Sequence, residues 1–330
     1  MPFTFHSHSG QFCEHAYGTL EDVVASAKRL GFRVLGLSEH VPRSHPEHLY
    51  PEEQHLTPAD LHVRFRDYYA LARQLQSEHK ADTFEIIVGA ETEFIEVSGN
   101  GRAVKAAEEL KKLVDECPVD YLVGSVHHVH GIPIDFNKDM YQQAIAVSAR
   151  NPDGHLQQLI WLFEDYFDAQ YTMIQSIKPD IIGHFDLVRI FAPSPQQALQ
   201  AVESRPVWQR VCRNIELAIK QGALFELNSR AWKKNLPAAY PHQEVVKEIQ
   251  RQGGKFTISD DSHGPNDLGM HYDKLHKYLE DMGIDTVHIL ERLETGQSTG
   301  ANTATGVMPK RVRTKAINNI IGDPFWQHFH

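Results

Sequence analysis

Histidine and acidic side chains recur directly behind short apolar stretches of this 330-residue sequence. Each of seven such stretches ends in residue types that bind metal ions or activate water. In chain order these endings are His6 with His8, Glu39 with His40, Glu91, His127, His184 with Asp186, Glu226 with Asn228, and Asp260–Asp261 with His263. One ending alone means little, but their recurrence predicts seven strands whose carboxyl ends meet at one place.

The spacing within these endings indicates a metal centre. Residues two apart in a strand share a face, so His6 and His8 can bind one cation. Asp261 and His263 have the same spacing. Glu91 is a candidate for a carboxylate that bridges two cations. Cys13 is interpreted as a buried free thiol, which leaves a predicted ligand set of nitrogen and oxygen only. Zinc, iron and manganese accept such ligands, and the expected chemistry is the activation of water.

Segments of helical period separate the candidate strands. The first has Thr19 as its N-cap and Asp22 three residues later, which is the pattern of a capping box. The predicted helices cover about 20–30, 59–78, 103–115, 156–177, 207–220, 243–252 and 271–282. This alternation of strand and helix, repeated about seven times, predicts an α/β fold with a parallel sheet.

The position of the polar residues favours a closed barrel over an open sheet. An open sheet uses only the few strands at its crevice, whereas a barrel brings the carboxyl end of every strand to one mouth. We therefore expect a single domain over residues 1–330, built as a (β/α)7 barrel. Loops near 42–57 and 131–152 are expected at the mouth. The segment 295–305 is expected to be a mobile loop before a C-terminal extension.

Composition narrows the possible partners and the cellular compartment. The formal net charge of −10 argues against a nucleic-acid partner, which needs a basic face. The sequence has no run of about 18 apolar residues, so neither a membrane span nor a membrane partner is expected. Its three cysteines show no metal-ligand spacing, and a cytoplasmic location fits them best. The sequence leaves the oligomeric state open.

Several of these endings resemble one family when they are taken together in order and spacing. The chain resembles the polymerase and histidinol phosphatase superfamily, and most closely its histidinol-phosphate phosphatases. The matching pieces, which span about four-fifths of the chain, are His6-Ser7-His8, Cys13-Glu14-His15-Ala16, Ser38-Glu39-His40, Gly89-Ala90-Glu91, Gly124-Ser125-Val126-His127, Ile182-Gly183-His184-Phe185-Asp186-Leu187, Glu226-Leu227-Asn228 and Ser259-Asp260-Asp261-Ser262-His263.

The resemblance implies a distorted (β/α)7 barrel that holds up to three divalent metal ions at the carboxyl ends of its strands. It implies one metal site of His6, His8, Glu91 and Asp261, a second of Glu91, His127 and His184, and a third of His15, His40 and His263. Glu91, Asp261 and His263 are the implied catalytic residues. Three alternatives stay open: Glu14 or Cys13 in place of His15, Asp260 in place of Asp261, and His128 in place of His127.

The implied reaction is hydrolysis of L-histidinol phosphate in histidine biosynthesis. Phosphate monoester hydrolysis requires accelerations of up to ~10²¹, about 29 kcal/mol, which exceeds what a single general base supplies. The hypothesis is that hydroxide bridging two metal ions attacks phosphorus directly. Arg189 and Arg230 are candidates for holding the phosphoryl oxygens. Asn228 is a further candidate for substrate binding, and Asp135, Asp186 and Glu226 are candidates for receiving the substrate amine.

Two other functions compete with this interpretation. One is a phosphoesterase of the same superfamily that acts on another small phosphate ester or a nucleotide. The other is an amidohydrolase-like enzyme that cleaves C–N bonds, since that group also begins with His-x-His. Such enzymes usually bridge their metals with a lysine, whereas Glu91 stands at the bridging position here.

Overall fold

The computed structural model describes residues 3–80, 83–95, 102–152, 154–293 and 306–329. Its main sheet has seven strands, all parallel, which lie side by side in the order in which they occur along the chain. These strands are β1 (Phe3–Thr4), β2 (Val34–Leu37), β3 (Glu85–Glu91), β4 (Tyr121–Gly124), β7 (Ile181–Ile182), β8 (Leu224–Asn228) and β9 (Lys255–Ser259). They are short and buried, as expected of a parallel sheet covered by helices.

The last strand returns to the first, so the sheet is a nearly closed barrel. Ser7 and Ser262 form a parallel bridge beyond the ends of β1 and β9. The amide of His8 donates a hydrogen bond to the carbonyl of Ser262 at 2.7 Å. The predicted seven-stranded α/β barrel is therefore confirmed, and the carboxyl ends of its strands share one mouth.

Helices cover the barrel between the strands. They are α1 (Leu20–Arg29), α2 (Pro58–Glu78), α3 (Arg102–Glu116), α4 (Lys138–Ser148), α5 (His155–Ile177), α6 (Pro195–Glu203), α7 (Arg205–Gln221), α8 (Arg230–Lys233), α9 (Gln243–Arg251) and α10 (Tyr272–Asp281). The capping box predicted for α1 is present, because Thr19 and Asp22 each accept a hydrogen bond from the other's amide. Within the described residues, every helix is too short or too polar to cross a membrane.

The structure departs from the sequence prediction in the long connections. Residues 131–152 were expected to be a loop. They include the second strand of a small hairpin that pairs β5 (His128–Val129) with β6 (Ile132–Pro133). They also include helix α4, whose N-cap is Asn137. Helix α6, which begins behind the N-cap Ser194, was also missed. In both cases a capping side chain begins a helix whose apolar face is too short to dominate the sequence pattern.

The C-terminal part adds an antiparallel hairpin that the sequence analysis did not predict. It pairs β10 (Thr286–Arg292) with β11 (Val312–Asn318), and its buried side chains belong to the same hydrophobic core as the barrel. The mobile loop predicted for 295–305 lies outside the described residues.

Tyr121 fills the interior of the barrel. Its ring lies over Gly36 on β2 and Gly89 on β3, where an added Cβ atom would overlap the ring. Its hydroxyl donates a hydrogen bond to the carbonyl of Phe5 at 2.7 Å, and so links β4 to the end of β1. The two glycines therefore make room for the side chain that holds the first four strands together.

We expect Gly89→Ala to lower the free energy of unfolding by about 1–3 kcal/mol, because the new methyl group overlaps the Tyr121 ring in a packed interior. Urea titration followed by circular dichroism measures this loss. Gly154→Ala is the matched control, since Gly154 has φ −60° and no atom within 4 Å of an added Cβ. Equal stability of the two variants would contradict the packing of Tyr121 against β3.

Candidate metal centre

All nine predicted metal ligands lie together at the mouth of the barrel. His6 and His8 follow β1, His40 follows β2, Glu91 ends β3, and His127 follows β4. The remaining ligands are His184 after β7, Asp261 and His263 after β9, and His15 in the loop between β1 and α1. The strand ends converge because parallel strands in a barrel point the same way.

Glu91 lies at the centre of this cluster and is only 1% exposed. Its two carboxylate oxygens face imidazole nitrogens of five histidines. Oε1 lies 3.1 Å from His6, 3.1 Å from His184 and 3.3 Å from His127, and Oε2 lies 3.0 Å from His40 and 3.3 Å from His8. The two oxygens thus face different groups of histidines, which is the geometry that a bridging carboxylate requires.

The donor set fits divalent metal ions. The ligand atoms fall into groups that lie within 4.8 Å of one another, among them His6 with His8 and Glu91, and His40 with Glu91 and His127. Among the described residues, the buried Nε2 atoms of His6, His8 and His40 have no hydrogen-bond partner. Buried polar nitrogens normally have partners, so these orphaned atoms are consistent with metal ligation.

The two adjacent aspartates have different surroundings. Asp260 turns into the barrel, where its carboxylate accepts hydrogen bonds from the Thr4 hydroxyl at 3.2 Å and the Gly269 amide at 2.7 Å. Asp261 has φ 48° and places Oδ1 3.7 Å from His6 Nε2 and 3.6 Å from His8 Nε2. Asp261 therefore faces the cluster, and Asp260 supports the barrel beneath it.

The two adjacent histidines His127 and His128 also have different surroundings. His127 Nε2 lies 3.2 Å from His184 Nε2, inside the cluster. His128 begins β5 and packs its ring against Tyr50, and burial lowers its pKa to about 3. Only His127 is therefore placed to share a cation with Glu91 and His184.

A second layer of acidic groups orients the histidines. Glu226 Oε2 lies 3.0 Å from His6 Nδ1, and Oε1 accepts hydrogen bonds from the His184 amide at 2.5 Å and from Asn228 at 2.8 Å. Glu39 Oε2 lies 3.5 Å from His8 Nδ1. Such partners fix the tautomer and orientation of ligand histidines. Glu226 and Asn228, which were predicted to bind substrate, are buried in this layer instead.

The sequence analysis missed Glu93. Its carboxylate is 1% exposed, and Oε1 lies 2.6 Å from His40 Nδ1 and 3.3 Å from His127 Nδ1. The available signal was the spacing of Glu91-x-Glu93, which repeats that of His6-x-His8. Glu93 thus supports two histidines that come from different strands.

The cluster is electrostatically coupled. Burial alone would lower the pKa of His8, but hydrogen bonds to Glu39 and Glu91 outweigh it and raise that pKa to about 9. The pKa values of His6 and His127 are also raised well above the usual value, since nearby carboxylates overcome the effect of burial. The pKa of Glu91 is held well below its usual value, because the surrounding imidazoles outweigh its burial.

A cavity of about 270 Å³ opens above the cluster. Two cationic side chains, Arg230 and Lys234, line it, and Asp135 is an acidic lining residue in addition to Glu52 and the predicted metal ligands. The apolar and aromatic lining consists of Tyr50, Phe136, Leu187, Ile190 and Tyr240. The cavity can therefore take a small molecule that carries an anionic group, a cationic group and an apolar or aromatic part.

Arg189 and Asp186 are not part of this lining, contrary to the prediction that they bind substrate. Arg189 is 3% exposed, and its guanidinium donates to Asp186 at 2.6 and 3.2 Å and to the carbonyl of Ala239 at 2.9 Å. Asp186 is fully buried and also accepts a hydrogen bond from the His242 amide. This ion pair holds the segment around Tyr240 and leaves Arg230 as the arginine at the cavity.

Comparison with known proteins identifies the family of this chain and similar relatives. The PHP domain model matches residues 4–230. The chain is 41% identical to a probable histidinol-phosphatase of Schizosaccharomyces pombe, over 97% of this chain and 100% of that protein. It is 29% identical to a histidinol-phosphatase of Saccharomyces cerevisiae, over 97% of this chain and 98% of that protein.

A solved structure shares the fold. The histidinol phosphate phosphatase of Lactococcus lactis, whose crystal structure contains zinc, L-histidinol and phosphate, superimposes with a TM-score of 0.62 and 17% identity. The match covers 86% of this chain and 94% of that one.

We expect metal binding to release protons at pH 7. The raised pKa values mean that His6, His8 and His127 carry protons in the metal-free protein, whereas a metal ligand must be a neutral imidazole. Metal affinity should therefore rise with pH up to about 9. Calorimetric titration in two buffers of different ionisation enthalpy measures the protons released, and zero release would contradict the electrostatics described above.

We expect Glu226→Gln to weaken metal binding by about 10- to 100-fold, because the amide cannot accept all three hydrogen bonds that orient His6 and its neighbours. Competition with a chromophoric chelator measures this affinity. Glu244→Gln is the control, since Glu244 pairs only with Lys247 at the surface. Equal affinity of both variants would show that Glu226 does not support the centre.

Proposed function

The chain belongs to the PHP domain family, and from that premise we propose that it is a metal-dependent histidinol-phosphatase. It hydrolyses L-histidinol phosphate to L-histidinol and phosphate, a step of histidine biosynthesis. The observation that supports this proposal most directly is the cavity, whose lining combines two cationic side chains, Asp135 and aromatic rings with residues of the histidine and carboxylate cluster.

We assign the metal ligands to three subsites, of which the first two share Glu91. The first consists of His6, His8, Glu91 and Asp261, and the second of Glu91, His127 and His184. The third subsite contains His15, His40 and His263. Bound divalent ions, up to three of zinc, manganese or iron, would lower the pKa of a coordinated water and neutralise phosphoryl charge. Glu91 joins the first two subsites, and Asp261 and His263 complete the set of catalytic ligands.

The phosphoryl group is held by the cationic side chains of the cavity. Arg230 is 13% exposed at its side chain, and its Nη1 donates to the carbonyl of Asp261 at 2.9 Å. That bond holds the guanidinium beside the metal ligands, where its other donors can reach phosphoryl oxygens. Lys234 also lines the cavity, and burial followed by the charge of Arg230 lowers its pKa.

The substrate ammonium binds Asp135. Of the three acidic residues considered for this position, Asp186 is paired with Arg189 and Glu226 with His6, whereas the buried Oδ1 of Asp135 has no hydrogen-bond partner in the described part of the chain. Burial raises the pKa of Asp135, and an ammonium ion in the cavity would favour its ionised form. The imidazole of the substrate then lies against Phe136 and Tyr50, whose rings are 5.9 Å apart.

We also propose that residues 1–330 form one domain, because the barrel and the C-terminal hairpin share one hydrophobic core. The segments near 42–57 and 131–152 supply Tyr50, Glu52, Asp135 and Phe136 to the mouth. A cytoplasmic location agrees with the three free cysteines Cys13, Cys117 and Cys212.

The test of the function is phosphate release from histidinol phosphate by chelator-stripped protein, with and without added Mn²⁺ or Zn²⁺. We expect metal-dependent turnover with kcat/KM far above that for a generic aryl phosphate. Cleavage of the aryl ester alone would mean a PHP phosphoesterase with a different substrate. Failure to cleave either ester would overturn the proposal and favour C–N hydrolysis.

We expect Asp135→Asn to lower kcat/KM for histidinol phosphate by about 10- to 100-fold, because a charge-assisted hydrogen bond contributes about 1.5–3 kcal/mol. The value for the aryl phosphate, which has no amine, should stay unchanged. Arg230→Ala is the contrasting variant, since loss of a phosphoryl contact lowers kcat/KM for both esters alike. An equal effect of Asp135→Asn on both esters would contradict its assignment to the amine.

A further inference from the structure

We propose that Cys13 is the fourth ligand of the third subsite, so that Cys13, His15, His40 and His263 form a site that selects zinc. The inference rests on the proposed metal centre and specifies one of its subsites. It differs from the expectation that the ligand set contains nitrogen and oxygen only. The sulfur of Cys13 and one nitrogen of each histidine all lie within 4.8 Å of one another.

The spacing of the sulfur fits shared ligation. Cys13 Sγ lies 3.3 Å from His15 Nε2. In a tetrahedral zinc site with Zn–N bonds of about 2.1 Å and Zn–S bonds of about 2.3 Å, sulfur and nitrogen ligand atoms are about 3.6 Å apart. A thiol and an imidazole that only form a hydrogen bond have a similar spacing. The positions of His40 and His263 therefore distinguish metal ligation from a simple hydrogen bond.

Each histidine has one nitrogen held by an oxygen and the other directed away from that oxygen. His15 Nδ1 lies 2.7 Å from Glu52 Oε1, His40 Nδ1 lies 2.6 Å from Glu93 Oε1, and His263 Nδ1 lies 3.0 Å from the carbonyl of Asp261. The tautomer with its proton on Nδ1 fits these contacts and leaves the lone pair of Nε2 for an ion, as metal-binding histidines commonly do. Three such imidazoles and one sulfur make a complete tetrahedral set.

The loop between β1 and α1 brings the cysteine to this position. The amides of Phe12 and Cys13 both donate to the carbonyl of Ser9, and the amide of Ala16 donates to the carbonyl of Cys13. These turns bury Cys13, which is 6% exposed, and set it beside His15 two residues later. The Cys13 sulfur is therefore held within the side-chain cluster.

The thiol chemistry indicates which ion the subsite prefers. A metal ion that binds the Cys13 sulfur displaces the proton of the thiol. A thiolate is a soft ligand that favours zinc over manganese, whereas the carboxylate and imidazoles around Glu91 accept both. The centre would thus hold one zinc-selective subsite beside two less selective ones.

Cobalt substitution tests the proposal without relying on activity. We expect the full-length protein loaded with Co²⁺ to show a sulfur-to-cobalt charge-transfer band in the near ultraviolet. Cys13→Ser should abolish that band, and Cys212→Ser, which alters a thiol that faces Glu248, should retain it. Cys13→Ser should also retain about one zinc ion fewer per chain after gel filtration.

The absorption spectrum of the cobalt-loaded wild-type protein tests Cys13 ligation even if Cys13→Ser folds poorly. A cobalt-loaded wild-type protein that hydrolyses histidinol phosphate but lacks the band would overturn Cys13 ligation and leave the proposed function intact. A band that persists in folded Cys13→Ser would also overturn it. A wild-type protein that takes up no cobalt would overturn both the ligand assignment and the metal centre on which it rests.

Discussion

The buried Glu91 carboxylate is the group on which the rest of the site depends. A carboxylate this deep in a protein is very unfavourable unless positive or hydrogen-bonding groups surround it. Here five imidazoles from four strand ends provide that environment. The closure of the barrel and the charge balance at its mouth therefore depend on each other, because the strands must converge for Glu91 to be neutralised.

The ligand histidines are held in turn by a second layer of oxygen atoms. Glu226, Glu39 and Glu52 each face a nitrogen of one imidazole, Glu93 faces a nitrogen of two, and the carbonyl of Asp261 faces one of His263. Such contacts restrict the ring orientation of ligand histidines. Metal binding would therefore displace protons from imidazoles that the protein already holds in place.

The cavity above the centre is lined by groups of both charges. Arg230, Lys234 and Asp135 all line it, together with the rings of Tyr50, Phe136 and Tyr240. An anionic and a cationic group on the same small molecule can therefore each meet a side chain of opposite charge. The buried Arg189–Asp186 pair contributes only indirectly, because it holds the backbone beside Tyr240, which lines the cavity.

Local sequence patterns were sufficient for the barrel and for the candidate ligands at its strand ends, and the family resemblance added His15. Short apolar stretches that end in His, Asp or Glu predict strand ends, and the two-residue spacing of His6 with His8 predicts a shared face, since both signals depend only on neighbouring residues. Helices α4 and α6 were missed although Asn137 and Ser194 cap them, since Asn and Ser are also common in turns and do not by themselves indicate a helix. Strands β10 and β11 were missed because many of their residues are polar and exposed, which weakens the apolar signal of a strand.

The sequence by itself determined the types of the ligands, their order along the chain and the kind of fold that brings them together. Only the tertiary structure decided that Asp261 rather than Asp260 faces His6, that Glu226 supports His6, and that Arg230 rather than Arg189 lines the cavity. The reason is physical: a side chain's function here depends on its distance to partners on other strands, and those distances exist only once the barrel has closed.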